Sequence, residues 1–234
     1  MGEAARAAVE AVASHVAARW EAAEGVWPDA WLTIAGTRIA VEVAVIAPAG
    51  VARGSVAKPR LRFDKVALRL VDGLRAAMSE IVPDGEAVVV TITAPIRLAS
   101  KTAAALDDVI QARLANPSAR ADFKDSICGN QVQVRFVTGV SGRMPKAVGF
   151  VHNPDPDSDQ LLDLTQALLL HVGRAADRRP PPGFTGDRWL VLADPDGRAP
   201  IETWRQVYAQ LAPSTDFKTV LMAPAGGRVE TLTG

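Results

Sequence analysis

Cysteine is almost absent from this chain: Cys128 is the only one in 234 residues. A single thiol closes no internal disulfide. With no Cys or His at ligand spacing it builds no zinc motif, so a small buried hydrophobe is its expected role. Histidine is nearly as scarce. His15, His152 and His171 fall on separate predicted elements, and the chain has no Gly-x-Ser-x-Gly elbow, so there is no triad signature. Net charge is missing too, because Lys+Arg and Asp+Glu both number 26. That excludes coating nucleic acid through bulk charge, though not a local basic patch. The most apolar later run, Leu161 to Val172, is too short for a bilayer and is interrupted by Asp163. The alanine-rich N-terminus carries Glu3, Arg6, Glu10, His15 and Arg19, unlike a signal peptide. The expectation is a soluble, cytoplasmic protein with no membrane partner.

What is present is an ordinary globular composition, 48% hydrophobic and 22% charged, in a length that suits one large domain. Residues 3–24 lack Gly and Pro and are rich in alanine, which predicts a helix with Val9, Val12, Val16 and Trp20 on its buried face. Trp31–Ala35 and Arg38–Ile46 read as a hairpin, and Pro48–Pro59 as a loop. Asp64 caps a helix whose stripe is Val66, Leu70, Leu74, Ala77 and Ile81. A strand over 87–94 and a helix over 101–115 follow. Strands near 131–138 and 146–152 then lead to a helix from Ser158 or Asp159 to Asp177. After the proline-rich connection 178–186 come strand 189–193, helix 200–211, and strands 217–223 and 228–232. This alternation predicts an α/β fold with a mixed central sheet flanked by helices, in a single domain 1–234. A weak boundary could fall at 178–187.

The segment 26–46 carries the most chemistry. Pro28-Asp29 leads into the first hairpin strand, and the apolar second strand holds one carboxylate, Glu42. Paired strands lie about 4.8 Å apart, so two such acids can converge on one hard cation. Mg²⁺ takes oxygen ligands and keeps waters, one of which can become a nucleophile. A buried carboxylate without a metal needs a cation or hydrogen-bond donors instead, and Arg38 or another base could serve. Pro-Asp also occurs at 83–84, 154–155, 156–157 and 195–196, mostly in evident turns, so Glu42 is the stronger signal.

Helix, Pro-Asp, an apolar strand with a glutamate, then helix and strand: over residues 3–95 this order resembles the PD-(D/E)XK nuclease-like superfamily, with Arg-Ile-Ala-Val-Glu-Val as its most specific phrase. The resemblance implies a restriction-endonuclease-like core in the N-terminal half, Mg²⁺ as cofactor and DNA as substrate. It implies Asp29 and Glu42 as metal ligands, with Glu21 or Glu24 on the first helix as a third. Two positions depart from the pattern. Ala44 stands where the family has its lysine, which leaves Lys65 or Lys58 to supply that cation. The family's first strand, between the first helix and Pro-Asp, has only Gly25-Val26-Trp27 available. Two functions follow from the resemblance: a catalytically degenerate binding or scaffold protein, or a Mg²⁺-dependent phosphodiesterase.

The stretch 53–75 holds Arg53, Lys58, Arg60, Arg62, Lys65, Arg69 and Arg75 against Asp64 and Asp72. Cations on an extended segment suit phosphate contacts, so Arg53, Lys58, Arg60, Arg62 and Arg69 are candidate nucleic-acid ligands; a solvated charged face is the alternative. Other motifs dissolve. Asp155, Asp157 and Asp159 have EF-hand spacing, but Gln160 and Gln166 occupy the glycine and glutamate positions. Ala99-Ser100-Lys101-Thr102 lacks the glycines of a phosphate loop. Asp194 opens a Pro-Asp-Gly turn, and Trp204, Tyr208 and Leu211 are expected in the core.

Overall fold

The computed structural model describes residues 1–46, 61–116, 120–154, 158–226 and 228–232. The chain is α/β, and its strands form two mixed sheets in two compact units. The first unit comprises residues 1–56, 170–209 and 214–234; the second comprises 57–169 and 210–213. Among the described residues no helix is long and apolar enough to cross a membrane.

The first unit opens with helix α1 (Glu3–His15), nine residues shorter than its alanine content predicts. Val16 caps it and Ala17 turns into the left-handed region at φ 51°. The next residues then pair as strand β1 (Arg19–Ala22) with β2 (Ala30–Ile34). Propensity here yields to strand pairing, since helix propensities are worth only tenths of a kcal/mol per residue. Val9 and Val12 are buried as expected, whereas Trp20 sits in β1. The strand missing from the sequence reading therefore exists, between α1 and Pro28-Asp29, at 19–22 instead of 25–27.

An Ala35-Gly36 turn, both residues at positive φ, joins β2 to β3 (Thr37–Val45). The sheet has the order β1-β2-β3-β8-β9-β10, with β8 (Arg188–Asp194), β9 (Thr219–Pro224) and the short β10 (Glu230–Thr231). β1, β2 and β3 form an antiparallel meander; β3, β8 and β9 are parallel; β10 is antiparallel. α1 covers the face that carries Val41, Val191 and Leu221. Side chains alternate along a strand. Ala40, Glu42 and Ala44 therefore share the opposite face.

The second unit has the sheet order β5-β6-β4-β7, formed by β4 (Glu86–Thr93), β5 (Phe123–Ile127), β6 (Asn130–Thr138) and β7 (Ala147–His152). Helix α2 (Lys65–Ile81) packs on β7 and on α3 (Ala99–Ala115). Asp64 caps α2 as predicted, accepting from the Val66 and Ala67 amides at 3.1 and 3.2 Å. The buried stripe is rotated from the expected one: Ala67, Leu70, Val71, Leu74 and Met78 face the core, while Val66 and Ala77 are exposed. α2 comes so close to β7 that a Cβ on Gly149 would sit 3.2 Å from a Val71 methyl carbon.

β5 has no counterpart in the sequence reading. Cys128 and Gly129, both at positive φ, turn it into β6, so Cys128 is a half-buried turn residue beside the core and not a wholly buried one. Thr102, in the segment with phosphate-loop spacing, is buried and bonded to Asn130 and the Arg97 carbonyl. The division between the units falls within α4 (Ser158–Asp177), and α5 (Ile201–Leu211) precedes β9. Trp204, Tyr208 and Leu211 are all buried. Asp155 and Asp157 lie outside the described residues.

Candidate functional site

The two acids singled out by sequence meet at the β2–β3 pair. The Asp29 amide donates to the Val41 carbonyl at 3.0 Å, and its Oδ2 accepts from the Val43 amide at 2.8 Å. Those bonds fix the carboxylate at the entry of β2, beside the middle of β3. Glu42 is 1% exposed. A charge that far from water costs several kcal/mol unless it is matched.

It is matched by arginine. Arg188 opens β8 in register with Ala40, on the face that Glu42 also occupies. Its Nη2 and Nε donate to Glu42 Oε1 at 2.5 and 3.2 Å, and the Trp27 indole donates to the same oxygen at 3.0 Å. Arg188 Nη1 donates to Asp216 at 2.5 Å, and its guanidinium lies 4.7 Å from the Phe217 ring centre. Arg178, one residue past α4, forms a fork on Asp29 at 2.7 and 3.2 Å and also donates to the Val26 carbonyl. Its Nε lies 3.6 Å from Glu42 Oε2, and the Arg178 carbonyl accepts from Arg188. Asp29 and Glu42 with the two guanidiniums thus form one connected cluster, to which the half-exposed Asp216 adds a third carboxylate.

Ionisation follows from this packing. Burial pushes the Glu42 carboxyl above its usual range, and the bonds from Arg188 and Trp27 pull back without cancelling it. Burial likewise works against the charge on Arg178, but its bonds to Asp29 outweigh it and raise that pKa. Glu42 Oε2 is the cluster's buried oxygen with no hydrogen-bond donor among the described residues.

None of the other candidates bonds to either acid among the described contacts. Glu21 lies on β1 and not at a helix end; it pairs with Arg38 at 2.5 Å, which removes Arg38 as the Glu42 partner. Glu24 is exposed beyond β1. Ala44 is half-buried on the Glu42 face. Lys65 opens α2, which belongs to the second unit, as do Arg62 and Arg69; Arg62 pairs with Asp64 at 3.0 Å. Arg53, Lys58 and Arg60 lie outside the described residues. The helix ending at Ile81 and the strand over 87–94, expected after Glu42 in the nuclease-like core, correspond to α2 and β4 of the second unit; the strand that lies beside β3 is β8. Among the described residues no group of three or more His, Cys, Asp or Glu side chains could hold a metal ion.

Arg178, Arg188 and Trp27 carry the site and were not predicted from sequence. The available signal was indirect: a buried glutamate demands a cation, and two arginines bracket the proline-rich connection.

A second buried carboxyl sits at the end of β8. Asp194 Oδ2 accepts from the Arg198 amide at 2.9 Å and the Trp204 indole at 3.2 Å, and its carbonyl accepts from Gly197. This is the turn chemistry expected of Asp-Pro-Asp-Gly. Oδ1 is buried without a donor among the described residues, and burial raises the pKa from the ordinary 3.8. A raised carboxyl pKa means that the folded state holds the proton more tightly than the unfolded one. The associated stability is present below pH 3.8 and is lost as pH climbs through the folded value. Replacing Asp194 with Asn removes that titration. In thermal melts from about pH 3 to pH 7, the stability of wild type relative to Asp194→Asn should fall as pH rises. A pH-independent difference would contradict this account.

Comparison of the chain with protein-family models, with curated proteins and with solved structures gives no match.

Proposed function

We propose that the chain is a catalytically inactive relative of the PD-(D/E)XK nucleases that works as a binding or scaffold protein. The observation that carries this reading is the fate of the two acids. Asp29 is forked by Arg178, and Glu42 is bonded by Arg188 and Trp27, so protein cations stand where a metal ion would be needed. Ala44 is the second support, since a residue with no ammonium occupies the lysine position. β1, between α1 and Pro28-Asp29, supports the kinship by filling the position that the sequence reading left vacant.

A divalent ion at this site would have to displace a guanidinium that already holds both oxygens of Asp29, and Mg²⁺ is reluctant to shed its waters for so little. The reading predicts no heat of Mg²⁺ or Mn²⁺ binding in titration calorimetry. It also predicts no cleavage of single- or double-stranded DNA or RNA by wild type beyond that of Glu42→Ala. Metal binding or cleavage that disappears in Glu42→Ala would overturn it and restore the phosphodiesterase reading.

A further inference from the structure

We infer that β1 is a self-association edge, on which a second copy of this chain adds its own β1 antiparallel across a two-fold axis at Trp20. The inference goes beyond the proposed function and does not rest on the acid pair.

β1 ends the first unit's sheet, and among the described residues no strand pairs with its outer edge. The ladder fixes which backbone groups that edge presents, because bonded and non-bonded residues alternate along an antiparallel pair. The Ala40 amide donates to the Asp187 carbonyl and the Ile46 amide to Ala193, so the even-numbered residues of β3 bond toward β8. Thr37, Ile39 and Val41 are left to bond Ile34, Leu32 and Ala30 of β2. Trp31 and Thr33 then bond Glu21 and Arg19 of β1. The Ala23 amide, which donates to the Asp29 carbonyl, continues the same parity. Trp20 and Ala22 therefore turn their N–H and C=O groups to the open edge. Such an edge is a template for another strand, and β1 carries neither the lysine nor the proline that often guards one.

Charge selects the occupant and the register. Two copies of β1 bond only with even-numbered residues facing each other. With Trp20 opposite the partner's Ala18, Arg19 faces the partner's Arg19. With Trp20 opposite the partner's Ala22, Glu21 faces the partner's Glu21. Both arrangements set like charges directly opposite, which destabilises a sheet. Centring on Ala22 leaves both charges unmatched. With Trp20 opposite the partner's Trp20, Arg19 faces the partner's Glu21 and Glu21 faces the partner's Arg19. Both pairs then occupy non-hydrogen-bonded positions, where side chains approach most closely. The two indoles meet on the other face of the strand as a cross-strand aromatic pair.

The side chains suit this arrangement. Arg19 is exposed and makes no ion pair with a described residue. Glu21 is held from the β3 side by Arg38, yet its side chain is 61% exposed and has room for a second guanidinium. An unrelated extended peptide would satisfy the same backbone groups without this self-complementary pattern. A two-fold pair also closes on itself and does not grow into a filament.

Sedimentation equilibrium of the full chain over a rising concentration series tests the inference. Wild type should show reversible monomer–dimer exchange. Arg19→Glu and Glu21→Arg should each weaken the dimer about tenfold or more, because each like-charge clash occurs twice per dimer. Mixing the two variants should restore association to near the wild-type strength, since every introduced charge then faces its opposite. Ala22→Pro removes an outward amide and spares the β2 ladder, because proline is tolerated where its nitrogen faces solvent. It should give a monomer with the wild-type circular dichroism spectrum. A wild type that stays monomeric throughout would overturn the inference and leave the edge to other proteins. A dimer indifferent to the charge variants, or a weakening that mixing does not relieve, would overturn it as well.

Discussion

Replacing Arg188 with Met should destabilise the first unit by about 3–5 kcal/mol, because it strands a charge in a place water cannot reach. Arg188 is 5% exposed and supplies two of the three hydrogen bonds on Glu42 Oε1. Met fills similar volume, so the loss reports charge and bonding more than packing. Arg178, at 3.6 Å from Oε2, offers only partial compensation. Asp216 loses its ion pair with Arg188 too, but it is half exposed and water can take over that contact. At about 2–4 °C per kcal/mol for a chain of this size, the melting transition should fall by roughly 10 °C. The double variant Glu42→Met/Arg188→Met should recover most of that loss, since replacing both members of a buried pair with apolar residues is often nearly neutral. Calorimetry of the four-protein cycle decides the matter. If the double variant is as unstable as the sum of the two singles, the pair is not the unit of stability.

Trp204→Ala should cost a similar amount, about 3–5 kcal/mol, for a different reason. The indole is 1% exposed on α5, and its removal leaves a large cavity in the first unit. It also deletes one of two donors to Asp194 Oδ2, leaving the Arg198 amide alone. Trp204→Phe separates the two effects: it keeps most of the volume and loses the bond, at about 1–3 kcal/mol for a buried acceptor left short. Denaturant unfolding of both variants should rank Ala well below Phe, and Phe below wild type. Equal losses would mean that the bond, and not the packing, carries the effect.

The sequence pattern conveyed much of the architecture. Period-two and period-3.6 runs placed the β2–β3 hairpin, α2, α3, α4, β8 and α5 close to their observed limits, and the Asp64 cap and the Asp194 turn were legible as local chemistry. Local signals failed where tertiary pairing overruled them. Alanine propensity carried α1 past residue 15, although Arg19–Ala22 gain more by joining β2. β5 was missed because its Lys-Asp-Ser centre has little strand character, and the Cys128-Gly129 turn and pairing with β6 hold it. Glu42 announced that a charge would be buried. Nothing local named Arg178 and Arg188, which approach from 136 and 146 residues away along the chain.

The separation of β3 from β8 sets the order of assembly. Nearly the whole second unit is encoded between them, and β8 begins about 140 residues after β3 ends. At roughly 5–20 residues per second on a ribosome, β3 waits about 7–30 s before its parallel neighbour exists. For that interval Glu42 has neither guanidinium, and the open edge of β3 is available to other chains. The second unit, almost continuous in sequence, can acquire its core meanwhile, which shortens the effective loop that β8 must close. The meander thus remains an unfinished template until the last third of the chain arrives, and its arginines seal the acid pair at the moment the sheet is completed.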